Sequence, residues 1–273
     1  MILPNAPARE VAPPAVTVSV VSHGQGPLCL RLIADLAQFG AGSIANLILT
    51  LNIPEPLALP GGLPFPVEIV RNAQPQGFGA NHNRAFARAR GAYFAVLNPD
   101  LRLDRDPFPA LLRHLADPSV GVVAPQVLEP DGSVADSTRA LVSPWEVLRR
   151  HLPPRGRRQH CMQAGAAPDW IAGMFLVFRS ATYASLGGFD ARYFLYCEDV
   201  DICARLRLQG LRLELVREVQ VTHEARRESH RSFRRLRMHV TSLIRLWSSP
   251  VYHRYRRQLK AESARMGGAR GPG

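Results

Sequence analysis

Tyr93-Phe94-Ala95-Val96-Leu97-Asn98-Pro99-Asp100 is a run of five apolar and aromatic residues that stops at a stiff polar turn. A run this short, without polar alternation, suits a strand buried on both faces of a parallel sheet. Upstream, the short β-branched run Val16 to Ser22 (VTVSVVS), Leu47 to Leu51 (LILTL) and Val67 to Arg71 read as further strands. Between these runs, Leu28, Leu32, Leu36 and Phe39 keep helical spacing, and Gly79 to Arg90 reads as a second helix. Strands alternating with helices predict an α/β fold with a mostly parallel central sheet. The Pro-rich stretch Pro54 to Pro66 is a loop.

Downstream, a helix is expected from Pro109 to Leu115 and a strand over Val120 to Pro125, followed by a polar excursion, Gln126 to Arg139. Ser143 to Leu152 reads as a helix, with a basic stretch from Pro153 to His160 after it. Trp170 to Arg179 is a strand or a strand pair broken at Gly173, and Ala181 to Leu186 a short helix stopped by Gly187-Gly188. Val200 to Leu208 is a helix closed by Gly210. Leu211 to Val216 and Val219 to His223 read as two strands, and Phe233 to Leu259 as one Arg-rich amphipathic helix. The expected organisation is a disordered segment over 1–15, one α/β domain over 16–230, a basic amphipathic helical extension over 231–262 and a disordered tail over 263–273.

With 273 residues, 46% of them apolar, the chain can bury a sizeable core. Cys29, Cys161, Cys197 and Cys203 show no paired spacing and read as reduced thiols of a cytoplasmic protein. No run approaches the ~20 apolar residues of a membrane span, and the start of the chain lacks the pattern of a secretory signal. The net charge of +12 comes almost wholly from arginine, Lys260 being the only lysine. It concentrates at Arg149 to Arg158 and from Arg226 onward, where basic side chains attract phosphates of any origin.

Three places carry chemistry. Asp100, at a strand's carboxyl end, can offer a carboxylate to a hard divalent cation, although Asn-Pro-Asp also makes an ordinary strand-ending turn. Glu198-Asp199-Val200-Asp201 opens a helix, where acids favour the dipole. Tyr193, Phe194 and Tyr196 surround these acids, and partial exclusion of water would make a carboxylate there a better base. His223 ends a β-branched run, and a lone His is compatible with a structural role or a ligand's. Gln76 to Asn83 is a Gly-containing loop entering a helix, suited to a simple turn or to bringing backbone amides to a diphosphate.

In order and spacing these segments resemble the family 2 glycosyltransferases of GT-A fold over about Val16 to Ser229. The family's NxGFGAxxN element matches within Asn72 to Asn83, its lNPD at Leu97 to Asp100, its GGFD…YxEDvD…R…G series at Gly187 to Gly210, and its late His at His223. Within the family the chain looks most like the bacterial rhamnosyltransferase-like branch. The resemblance implies a Rossmann-like three-layer sandwich with C-terminal amphipathic helices. It also implies an inverting sugar transfer from a nucleotide-sugar, dTDP- or UDP-linked, to a glycan or lipid-linked acceptor in cell-surface polysaccharide synthesis. Asp199 would be the catalytic base and Glu198 its neighbour. Asp100 and His223 would hold a divalent metal, magnesium or manganese. Ser22, Asn52, Gly77, Gly79, Asn83, Asn98 and Asp100 would line the donor side, and Trp170, Gly173 and Asp201 the acceptor side. The family's second strand commonly ends Asp-Asn; here it ends Leu51-Asn52, so the match falls on Asn52.

Two other readings use the same residues. A sugar nucleotidyltransferase also combines an α/β sheet with acids and a Gly-rich loop, but Ser22 to Cys29 lacks the early basic signature. A GT-A-like protein that binds without catalysing is the second. Nucleic acid is not an expected partner, since the Arg-rich tail shows no recognisable module. That tail fits peripheral contact with the inner face of a membrane, and equally a solvated or self-packing helix.

Overall fold

A computed structural model describes residues 15–141, 143–145, 168–224 and 233–268, with backbone alone for 233–235 and 266–268. Eight strands form one sheet in the order β3-β2-β1-β4-β9-β6-β10-β5. They are β1 (Val16–Ser22), β2 (Ile44–Leu51), β3 (Val67–Arg71), β4 (Tyr93–Leu97), β5 (Leu101–Arg102), β6 (Val120–Leu128), β9 (Phe175–Arg179) and β10 (Arg212–His223). A separate short pair joins β7 (Thr138–Arg139) to β8 (Trp170–Ile171). Neighbours β3-β2-β1-β4 are parallel, β9 runs against both β4 and β6, β6 and β10 are parallel, and β5 returns antiparallel on β10. The sheet is mostly parallel, as expected.

Chain alternation along each strand builds the three layers. Ala95 and Leu97 face one core with Leu32, Ile33 and Leu36 of α1 (Gly26–Phe39) and with Leu111 and Leu115 of α3 (Phe108–Leu115). Phe94 and Val96 face the other, with Ala85 of α2 (Phe78–Phe86), Tyr183 of α4 (Ser180–Ser185) and Ile202 and Leu206 of α5 (Glu198–Leu208). Each fully buried aliphatic side chain stabilises the fold by about 1.5–3 kcal/mol. Strand order reverses at β1, which has β2 on one side and β4 on the other, so a crevice opens at the carboxyl ends of these strands.

Two sequence expectations are corrected and a third is narrowed to one of its alternatives. The two strands read over 211–223 are one strand, β10, whose register on β6 shifts between Val216 and Gln220. The residues skipped by that shift are what broke the sequence pattern. The single helix read over 233–259 is two, α6 (Phe233–Trp247) and α7 (Pro250–Gly268). Pro250 has no N–H to continue α6 and is preorganised for the first turn of α7. The run read as a strand or strand pair over 170–179 is β8 and β9, which belong to different sheets. Of the helix read over 143–152, residues 146–152 lie outside the described residues, as does the basic stretch 153–160.

One asparagine joins the layers beneath the crevice. Asn83 Nδ2 donates to Phe189 O at 2.7 Å, and its Oδ1 accepts from Phe189 N at 2.9 Å and from the Tyr183 hydroxyl at 2.7 Å. Gly188, at φ +71°, passes so close that a Cβ there would sit 2.2 Å from Asn83 Oδ1. Asn83→Ala strands these buried groups, which should lower unfolding stability by about 2–4 kcal/mol with an unchanged m-value in urea denaturation.

Candidate active site

Asp100 and His223 reach each other because β5 folds back on β10, pairing Leu101 with His223 and Arg102 with Thr222. Asp100 Oδ1 lies 3.0 Å from His223 Nε2, and both side chains are largely buried. The two atoms are within ion-pair range, yet neither makes a hydrogen bond. Two adjacent ligands of an octahedral cation with bonds of about 2.1 Å would stand about 3.0 Å apart, so the pair fits a small divalent ion. An oxygen and an imidazole nitrogen as donors suit manganese better than magnesium. Among the described residues no third His, Cys, Asp or Glu joins them. A cation held there would draw its remaining ligands from water and substrate oxygens.

The second acid centre is the first turn of α5. Tyr196 and Cys197 both adopt left-handed backbone, at φ 73° and 68°, without being glycine. Each such residue costs on the order of 1–2 kcal/mol, so the surroundings must hold the turn. They do so from two directions. Phe78 N donates to Phe194 O at 2.8 Å, and Gly77 lets this loop pass where a Cβ would meet Tyr193 O at 2.7 Å. From α6, the Ser242 hydroxyl donates to Leu195 O at 2.7 Å, and His239 stacks on Tyr196 with ring centroids 4.9 Å apart.

The turn delivers two carboxylates with different environments. Glu198 is 5% exposed, its Oε2 has no hydrogen-bond partner, and burial next to Asp199 pushes its pKa up to about 8. Asp199 is partly exposed. Its Oδ2 accepts from Gly173 N at 3.1 Å and its Oδ1 from Val200 N at 2.9 Å. Loss of solvent raises its pKa, while these amides and the charge of Arg139 oppose the rise. Carboxylates this close do not both ionise readily. Of the two, Asp199 is the more reachable from solvent and Glu198 the more enclosed.

The other expected residues fall into three settings. Gly173 lies against Asp199, and Trp170, 7% exposed, binds Ala140 O through Nε1 at 3.1 Å with Arg139 over its ring at 5.3 Å. Asn98 N donates to Met174 O, tying the β4 end to the β8–β9 connection. Ser22 Oγ accepts from Gln25 N at the entry to α1. Asn52, 6% exposed, is a hub: its Oδ1 accepts from Gln76 N and Asn72 Nδ2, and Asn72 also binds Asn81 and Arg84. Gly79 admits Phe189, whose Cβ would lie 2.5 Å from an added methyl, and Asn83 clamps Phe189 from the same helix. Asp201 corrects its expected acceptor role: it is 2% exposed and pairs with Arg205 at 2.8 Å. Arg205 in turn holds Leu186 O and Gly188 O, so Asp201 braces the glycine loop.

Sequence reasoning missed Arg139, His239 and Glu55. Arg139 and His239 reach the acid pair through tertiary packing, and no spacing signals them. Glu55 stands on the Pro-rich loop beyond Leu51 and accepts from Gly26 N at 2.8 Å and Gly24 N at 3.3 Å. It brings a carboxylate to the β1 end although the β2 end has none.

Comparisons with known proteins agree with this fold. Residues 52–185 match the model of Glycosyl transferase family 2. Rhamnosyltransferase WbbL of Escherichia coli K12 is 40% identical over 78 residues, which are 28% of this chain and 30% of that protein. The N-acetylglucosaminyl-diphospho-decaprenol L-rhamnosyltransferase of Mycobacterium tuberculosis is 28% identical over 229 residues, 76% of this chain and 75% of its own length. Among solved structures, the mannosyltransferase PcManGT from Pyrobaculum calidifontis in complex with GDP-Man and Mn2+ superposes with a TM-score of 0.57 at 17% identity, covering 86% of this chain and 65% of that one. GalNAc-T7 with UDP, GalNAc and Mn2+ gives 0.60 at 15% identity, covering 79% and 44%. The fold is GT-A.

The raised pKa of Glu198 has a definite sign. A carboxyl that prefers its proton when folded contributes stability below its ordinary value of 4.5, and that contribution is lost as pH rises through about 8. Glu198→Gln mimics the protonated acid and removes the loss. In thermal melts from about pH 5 to about pH 9, the variant should gain steadily on the parent.

Proposed function

We propose that the protein, whose residues 52–185 match the model of Glycosyl transferase family 2, is an inverting, divalent-metal-dependent glycosyltransferase. The observation that carries this is the pairing of an Asp199 carboxylate, held by the amides of Gly173 and Val200, with a separate oxygen–nitrogen site at Asp100 and His223. One is a base, the other an anion-neutralising centre, and direct displacement needs both.

In this reading the donor lies in the crevice at the β1/β4 reversal, its diphosphate toward Asp100 and His223. A bound cation would supply charge stabilisation to the departing diphosphate. Asp199 takes the proton from the acceptor hydroxyl as that oxygen bonds to the anomeric carbon from the face opposite the diphosphate. The carbon–oxygen bond to the leaving group breaks, and configuration inverts. Gly173 N and Val200 N keep Asp199 ionised and aimed, and desolvation strengthens it as a base. Glu198, holding its proton, spares Asp199 a second adjacent charge.

The donor is a nucleotide-sugar, with a dTDP- or UDP-linked deoxysugar such as rhamnose as the first candidate, in keeping with the rhamnosyltransferase names of the relatives. The acceptor is a glycan or lipid-linked saccharide of cell-surface polysaccharide synthesis, met at the cytoplasmic face of the membrane. No described helix is long and apolar enough to cross a membrane, so that meeting would be peripheral.

Asp199→Asn should lower kcat by about a thousandfold while nucleotide binding stays within about twofold of the parent. Lost nucleotide binding in that variant would remove Asp199 from the role of base. Asp100→Ala and His223→Ala should each weaken manganese-dependent nucleotide binding by about tenfold or more. The readout is the thermal shift with dTDP, UDP and GDP, each with and without manganese; a shift indifferent to both substitutions would exclude this metal site.

A further inference from the structure

Helix α6 turns Ser242 and Leu246 inward, at 5% and 3% exposure. It leaves Leu236, Val240 and Ile244 bare, at 61%, 46% and 58%. At intervals of four residues these three form one apolar stripe along the helix, which a solvated face would not carry. Every ionised side chain on α6 is an arginine, and α7 sets five basic residues against Glu262 alone. On the helical wheel Arg237 lies on one flank of the stripe, and His239 and Leu243 lie on the flank toward the catalytic turn.

We propose that this stripe and its flanking arginines dock on an anionic lipid surface, laying α6 flat at the headgroup level. The charge argues for that occupant. A second copy of the chain would bring two acid-free arginine faces together, and nucleic acid would gain nothing from the aliphatic stripe. An amphipathic helix with aliphatic residues on one face and arginine beside them gains from the acyl boundary and from anionic headgroups together. The stripe is also continuous with the site: His239, the residue before Val240, stacks on Tyr196, and Ser242 holds Leu195 O. Docking α6 therefore sets the acceptor side of the acid pair beside the bilayer, where a saccharide on a lipid carrier would present its hydroxyl. That last consequence rests on the transferase reading; the docking itself does not.

The test is flotation of the full chain with vesicles of phosphatidylglycerol and phosphatidylcholine in equal parts, against vesicles of phosphatidylcholine alone. The protein should float with the anionic vesicles, less so at high salt, and stay behind with the neutral ones. Leu236→Gln, Val240→Gln and Ile244→Gln combined should reduce binding by about tenfold or more. Arg237→Gln should reduce it about fivefold. Both variants should keep the parent's melting temperature and nucleotide-driven shift. Absence of flotation in a protein that still binds nucleotide overturns the docking and leaves the transferase reading intact. So does a parent that is dimeric by light scattering with a monomeric triple variant, which makes the stripe a self-association surface. Flotation without any nucleotide shift supports docking and strikes the transferase reading instead.

Discussion

Putting two adjacent carboxylates out of water is the constraint around which this molecule is arranged. Glu198 and Asp199 gain from the N-terminal dipole of α5, but that contribution is small beside the cost of desolvating two like charges. The fold meets the cost unevenly. Asp199 receives the amides of Gly173 and Val200 and the field of Arg139, whereas Glu198 is enclosed with no partner at Oε2. One buried negative charge is tolerable where two are not, and in the proposed reading this asymmetry makes Asp199 the base.

Holding that asymmetry requires a backbone that would not persist on its own. Left-handed Tyr196 and Cys197 are strained, and the contacts that retain them come from far away in sequence: Phe78 on α2, Ser242 and His239 on α6. Helix α6 is thus part of the site's frame as well as a basic surface. A single helix linking the turn at Tyr196–Cys197 to the proposed lipid-facing stripe would couple the protein's orientation on a membrane to that of the proposed base.

The metal side follows a different logic. Asp100 and His223 need no strain, only the short return strand β5, whose two residues pair with the end of β10. Sequence separation of more than a hundred residues is closed by one antiparallel bridge. The result is two donor atoms that face each other without hydrogen bonding, an arrangement that a shared cation would satisfy.

Much of this was legible in the chain alone. Short β-branched and apolar runs such as Val16–Ser22 and Tyr93–Leu97, alternating with helical patterns, pointed to an α/β layer fold before any contact was known. The ordered acids, glycines and late His determined the chemistry to look for. Local pattern could not say which strands would be neighbours, and so could not show that β9 would insert antiparallel between β4 and β6 or that β10 would absorb its polar interruption as a register shift. It placed Asp201 with the acceptor side because helix position alone does not reveal that Arg205 and the glycine loop bury it. It missed Arg139 and His239 because their role exists only once distant elements pack. Residue type and period are properties of the chain, while burial, ionisation and the meeting of remote side chains are properties of the packed state, and only the tertiary structure decided those.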